Sequence, residues 1–170
     1  MSFLRAFFTQ PSRPYRNFQI AFTVLTLNFV LPALTYTFAP EHAVAQVVEI
    51  NTVLGGAPYP FDELSTRLWR YLGAANVMTL GFMCFLLQLN LRRFYSVLMP
   101  LSFMKGYAAA MWLAGFVASP ELRVFGAAFV LDAVTCTAFV FFAGRARRDI
   151  EARPDMTLVP QPAFAAGKSA

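Results

Sequence analysis

Long apolar stretches alternate with short polar or basic segments along this chain, and that alternation predicts its elements. Four windows carry almost no charge: 18–38, 69–91, 96–119 and 124–143. Each holds about 20 residues, which at about 1.5 Å per residue crosses a hydrocarbon core about 30 Å thick. A segment at that depth has no water for its backbone groups, so each window is predicted as a helix. The loops between the second and third windows and between the third and fourth are only a few residues long, so neighbouring spans form antiparallel hairpins. The fold class expected is all-α: an integral membrane four-helix bundle with short loops and one outer amphipathic helix.

That outer helix lies in the longest connection, 39–68. Ala43, Val47, Ile50 and Leu54 recur at helical spacing after Pro40, and Gly55-Gly56 ends the run. Ala57-Pro58-Tyr59-Pro60 reads as a turn, and Asp62 is placed to cap the second span's helix. An N-terminal segment, 1–17, is basic and rich in Phe, suited to the membrane surface. The four-span unit covers 18–148, and a Pro-containing tail, 149–170, loses the apolar pattern and is predicted to be disordered.

Composition agrees with this layout. The 170 residues are 58% hydrophobic and only 14% charged, against about 25% charged in a typical soluble domain. The formal charge of +5 flanks the apolar windows instead of forming one stripe, so it predicts topology and no nucleic-acid partner. Ten basic residues, among them Arg13, Arg92, Arg93, Arg145 and Arg148, fall on the side of the termini. Arg67, Arg70 and Arg123 fall on the other. The bias predicts a multi-pass protein of the cell membrane with both termini in the cytoplasm. Ala43-Val44-Ala45 resembles a signal-peptide cleavage site, but the apolar stretch before it exceeds the 7–15 residues usual for a signal peptide, at about 20. The first window is therefore read as a span.

Charge inside the windows is the main chemical signal. Lys105 stands in the third and Asp132 in the fourth, and a charge at that depth costs about 2.5–3.5 kcal/mol. Lys105 lies about 15 Å from the terminal-side end of its span and Asp132 about 19 Å, a difference of about one helical turn. Ser102, Ala108 and Ala109 share a face with Lys105, and Ala128, Thr135 and Cys136 share one with Asp132. Small neighbours allow close approach, so the two charges are expected to pair across the hairpin, inside the bundle. Asn28 in the first window and Asn76 in the second come out near the same depth, which predicts a polar cluster of Lys105, Asp132, Asn28 and Asn76. Such a cluster serves either as an ion, proton or head-group site or as structural glue.

Other chemistry is sparse. The single histidine, His42, is outside the spans, and no Cys, His and Asp grouping has metal-ligand spacing. Cys84 and Cys136 read as small buried residues. No cofactor, metal or catalytic residue is expected, and no nucleotide or hydrolase motif is present. The partners implied are membrane lipid and either further copies of the chain or a larger membrane complex. The layout of four spans, with one longer outer segment after the first, is similar to that of DoxX-type bacterial membrane proteins. The resemblance is one of layout, and no residue role is carried over from it. The functional expectation is a non-enzymatic accessory or structural subunit of a membrane complex. The alternative is a small transporter or proton-coupled carrier built on Lys105 and Asp132.

Overall fold

The computed structural model describes residues 12–58 and 63–154, the side chains of 63–68 excepted. Among them are α-helices and no strand: α1 Arg13–Phe38, α2 Pro40–Val53, α3 Glu63–Leu89, α4 Leu91–Phe94, α5 Leu98–Ala118 and α6 Val124–Glu151. One 3-10 turn, Tyr95–Val97, joins α4 to α5. Four stretches are long and apolar enough to cross a membrane: Arg13–Phe38, Trp69–Leu89, Leu91–Ala118 and Val124–Glu151. The turn at Tyr59-Pro60, the Asp62 cap and all but Ser12 to Asn17 of the N-terminal segment lie outside the described residues, as does the tail from Asp155. The last helix outruns its apolar window and carries its Arg-rich end to Glu151.

Local chemistry accounts for the helix ends. Ser12 caps α1 by accepting from the Tyr15 amide, and Pro14 suits the first turn, where an N–H would have no helical partner. The helix continues through Pro32. Pro40 starts α2 in the same way, and Gly55, at φ 73°, takes the left-handed turn that follows it. Asn90 stops α3 and caps α4 by accepting from the Arg93 amide.

The spans pack in the order α3–α1–α6–α5, with the closest associations α1 with α3, α5 with α6, and α1 with α6. By contrast, α3 and α5 meet over only a short stretch. Ser12 Oγ donates to Asp149, so the two chain ends of the unit stand on one side, here the terminal side. The core is an aromatic column: Phe18 and Phe22 meet, tilted, at 4.4 Å, Phe22 meets Phe139 at 5.7 Å, and Phe139 meets Phe29 at 6.1 Å. Leu80, Cys84, Leu87, Leu98 and Leu101 close round it. Lipid is as apolar as this core, so contact between the helices rests on close packing. Gly81 illustrates it: a Cβ there would stand 2.9 Å from Val30 Cγ2, so only glycine lets α3 approach α1 this closely.

The outer helix forms as expected. Of its apolar repeat Ala43 is buried while Ile50 and Leu54 are exposed, and the polar Asn51 is buried as well. Asn51 Nδ2 donates to the Ala57 carbonyl at 2.6 Å, and its Oδ1 accepts from the Val124 amide at 3.2 Å. One side chain thus closes the turn after α2 and caps α6. Arg123 reaches back to the Leu54 carbonyl at 2.8 Å, and the Ala57 amide donates to Glu121. Removing the amide with Asn51→Ala should cost about 1–2 kcal/mol, the size of a lost helix cap. Limited proteolysis of the 39–58 connection should accelerate correspondingly, and an unchanged cleavage rate would show that α2 is held by other contacts.

Candidate functional site

Lys105 and Asp132 form the expected ion pair between α5 and α6. The lysine stands about a third of the way along α5, on the face that Leu101 and Ala109 also bury. Asp132 occupies the buried stripe of α6 with Thr135 and Phe139. The side chains keep only 13% and 9% of their accessible surface. Depth is what brings them together, since antiparallel helices joined by a short corner place equal distances from the corner side by side.

Two aromatic contacts complete the pair, and neither was anticipated. The Trp112 indole N–H donates to Asp132 Oδ2 at 3.1 Å, while Lys105 engages Oδ1. Trp112 lies seven residues after Lys105, two turns along the same face, so α5 supplies both donors. The Lys105 ammonium also sits 5.0 Å from the centre of the Phe29 ring on α1. A cation over an aromatic face, away from water, contributes about 2 kcal/mol. The carboxylate has a donor on each oxygen, and the ammonium has an anion and a ring.

The asparagines do not join this group. Asn28 and Asn76 are both exposed, and among the described residues no hydrogen bond links either to the pair. Phe22, Phe29 and Ala33 define the inward face of α1, and Asn28, one residue from Phe29, is turned about 100° away from it. Asn76 is one turn from Leu80, yet its own side chain is exposed, while Ala74 and Val77 beside it are buried and half-buried. The four-residue cluster expected from depth is therefore a two-residue pair with aromatic partners.

A second polar group lies toward the terminal side, between α1 and α3. Gln19 and Gln88 are both buried. Gln88 Nε2 donates to the Phe22 carbonyl at 3.0 Å and to Thr26 Oγ1 at 2.6 Å, and its Oε1 accepts from Thr23 at 2.9 Å. Gln19 Nε2 donates to Tyr15 Oη at 2.8 Å and to the Gln88 carbonyl at 3.0 Å. That carbonyl is in the last turn of α3, where no further helical amide is available, so Gln19 caps the helix end. The signal in the sequence was two glutamines near the ends of apolar windows, at positions where a polar residue needs a partner.

Near the charge pair, the Cys136 thiol contacts the Ser102 carbonyl at 3.4 Å. The Ser102 hydroxyl, one turn from Lys105, is buried with no hydrogen-bond partner among the described residues. Cys84 is buried and Cys136 partly so, and both are free thiols. Among the described residues no group of His, Cys, Asp or Glu has the geometry to hold a metal ion.

The fold and this site define the class: a small helical protein with four helices long and apolar enough to span a membrane and, among the described residues, a buried cross-hairpin ion pair. No family model matches the chain, and neither a curated protein nor a solved structure is similar to it at a significant level.

Proposed function

We propose that the chain is a non-enzymatic accessory or structural subunit of a membrane assembly, held in the cell membrane with both termini cytoplasmic. The observation that carries this reading is the mutual engagement of the buried pair. Asp132 has Lys105 on one oxygen and Trp112 on the other, and Lys105 is further covered by Phe29. A charge pair engaged and buried in this way locks α5 against α6 and α1, and the charges balance each other without a further ligand.

Exposure of the spans supports the assembly part of the reading. No more than 33% of the most apolar stretch of any span is buried inside the chain, and for the α5 span the share is 11%. Met99, Phe103, Tyr107 and Met111 line one exposed stripe of α5 at four-residue intervals. Large side chains on the end helix of the row offer a face to another membrane helix, from a second copy or from a different subunit.

A photo-crosslinking residue at Phe103, activated in intact membranes, should then yield a discrete protein adduct of constant mass. The same residue at Val24, on a different face, should not yield that adduct. Exclusive formation of lipid adducts at Phe103 would overturn the reading.

A second reading, a small carrier, is favoured by one observation only. The unpartnered Ser102 hydroxyl beside Lys105 is a polar group with capacity to spare. Proton-coupled uptake in proteoliposomes, abolished by Lys105→Met with Asp132→Leu, would favour the carrier over the subunit.

A further inference from the structure

We propose that the seam between α1 and α6 on the terminal side binds one anionic phospholipid. Its phosphate would lie between Arg13 and Arg145, and an acyl chain would run along the groove above them. The two helices pack against each other along this seam. At its terminal-side end, a pocket of about 310 Å³ is lined by Arg13, Asn17, Phe141 and Arg145. A second space of about 440 Å³ continues it toward mid-membrane, sharing Asn17 and Phe142 and bordered by Ala21, Leu25 and Ala138. The first carries cations and an amide, and the second is almost wholly apolar. That sequence of chemistry along one axis is the sequence along a phospholipid.

Register makes the two spaces one site. On α1, Arg13, Asn17, Ala21 and Leu25 follow at four-residue intervals, so they form one stripe. On α6, Ala138, Phe142 and Arg145 form the facing stripe in the opposite direction. Both stripes put the guanidinium at the terminal side and the small residues deeper. From Arg13 to Leu25 is a rise of about 18 Å, close to the half-thickness of about 15 Å of one hydrocarbon leaflet. A soluble phosphate would use only the first few ångströms of such a groove.

The cations are available. Among the described residues neither Arg13 nor Arg145 is in an ion pair, and the Arg145 guanidinium is steadied 5.1 Å over the Phe141 ring. Both acids on the same end of α6 are already engaged, Asp149 by Ser12 and Arg153 and Glu151 by Arg147. Two unopposed guanidinium groups at the membrane surface favour an anionic head group over a zwitterionic one, through attraction and bidentate bonding to phosphate.

The test uses the full chain in detergent, with native mass spectrometry of adducts formed with phosphatidylglycerol and with phosphatidylcholine of matched chains. The wild type should retain phosphatidylglycerol selectively. Arg13→Gln and Arg145→Gln should each weaken it about fivefold, and together about 30-fold, with phosphatidylcholine unchanged. Ala138→Phe, which fills the groove and leaves both cations, should weaken the phosphatidylglycerol adduct as well. The single arginine variants, both on exposed side chains, keep the test informative if the double variant folds poorly. Equal retention of the two lipids by the wild type, or undiminished phosphatidylglycerol binding in both single variants, would overturn the proposal. Displacement of the lipid by millimolar glycerol phosphate would also overturn it, because it would assign the site to a soluble anion.

Discussion

Replacing Lys105 by methionine is expected to destabilise the protein by about 3–5 kcal/mol, the usual consequence of stranding one partner of a buried ion pair. Methionine keeps the length of the side chain and most of its volume, so the loss is chiefly electrostatic. Asp132 would retain only the Trp112 indole as a donor, in a setting that leaves 9% of its side chain accessible. The double substitution Lys105→Met with Asp132→Leu removes both charges and should restore most of the loss. The measurements are yield in the membrane fraction and the temperature at which the monodisperse peak disappears on heating in detergent. Recovery in the double variant identifies the pair as a structural lock. If the double variant is as unstable as the single, the charges are needed for more than each other. A single variant as stable as wild type would mean that the contact carries no weight in folding.

The second large effect is expected at Gln88. Alanine there removes an amide that joins α3 to three positions on α1, and it opens a cavity in a fully enclosed site. The expected cost is about 2 kcal/mol, most of it from lost packing, since interhelical hydrogen bonds in membranes average about 0.6 kcal/mol. Gln88→Leu should cost less than 1 kcal/mol by the same reasoning, for a specific reason. Thr26 donates to the Phe22 carbonyl at 2.7 Å, and Thr23 has the Gln19 carbonyl at 2.8 Å to turn to, so neither hydroxyl is stranded when the amide leaves. Thermal stability in detergent, ranked wild type, leucine, alanine, checks this. A leucine variant no better than alanine would put the weight on the hydrogen bonds instead of the volume.

These two sites differ in how visible they were beforehand. Lys105 and Asp132 announced themselves, because a charge in an apolar window has few ways to be accommodated. Their pairing also followed from arithmetic, since depth along an antiparallel hairpin needs only the rise per residue. Trp112 is silent by comparison, because an indole gives no sign in sequence of which acceptor it will meet. Gln88 and Asn51 are silent in the sequence for a related reason. A single amide among apolar residues is compatible with lipid headgroups, a helix cap or an interhelical bond, and only the neighbours choose among them. Asn28 and Asn76 show the converse. They lie at nearly the depth of the charge pair, but they sit on faces that turn outward.

The number of spans, their antiparallel succession, the outer helix after Pro40 and the meeting of Lys105 with Asp132 were all determined by the sequence alone. Each depends on length, on a start or stop residue, or on distance along a helix axis. Rotation about that axis was decided only by the tertiary structure. It turned Gln19, Gln88 and Asn51 inward, left both mid-span asparagines exposed, and set Arg13 beside Arg145. The physical reason lies in the solvent. In water an apolar stripe against a polar background tells which face of a helix is buried. In hydrocarbon the buried and exposed faces are equally apolar, so the pattern that reveals a span conceals its orientation about its own axis.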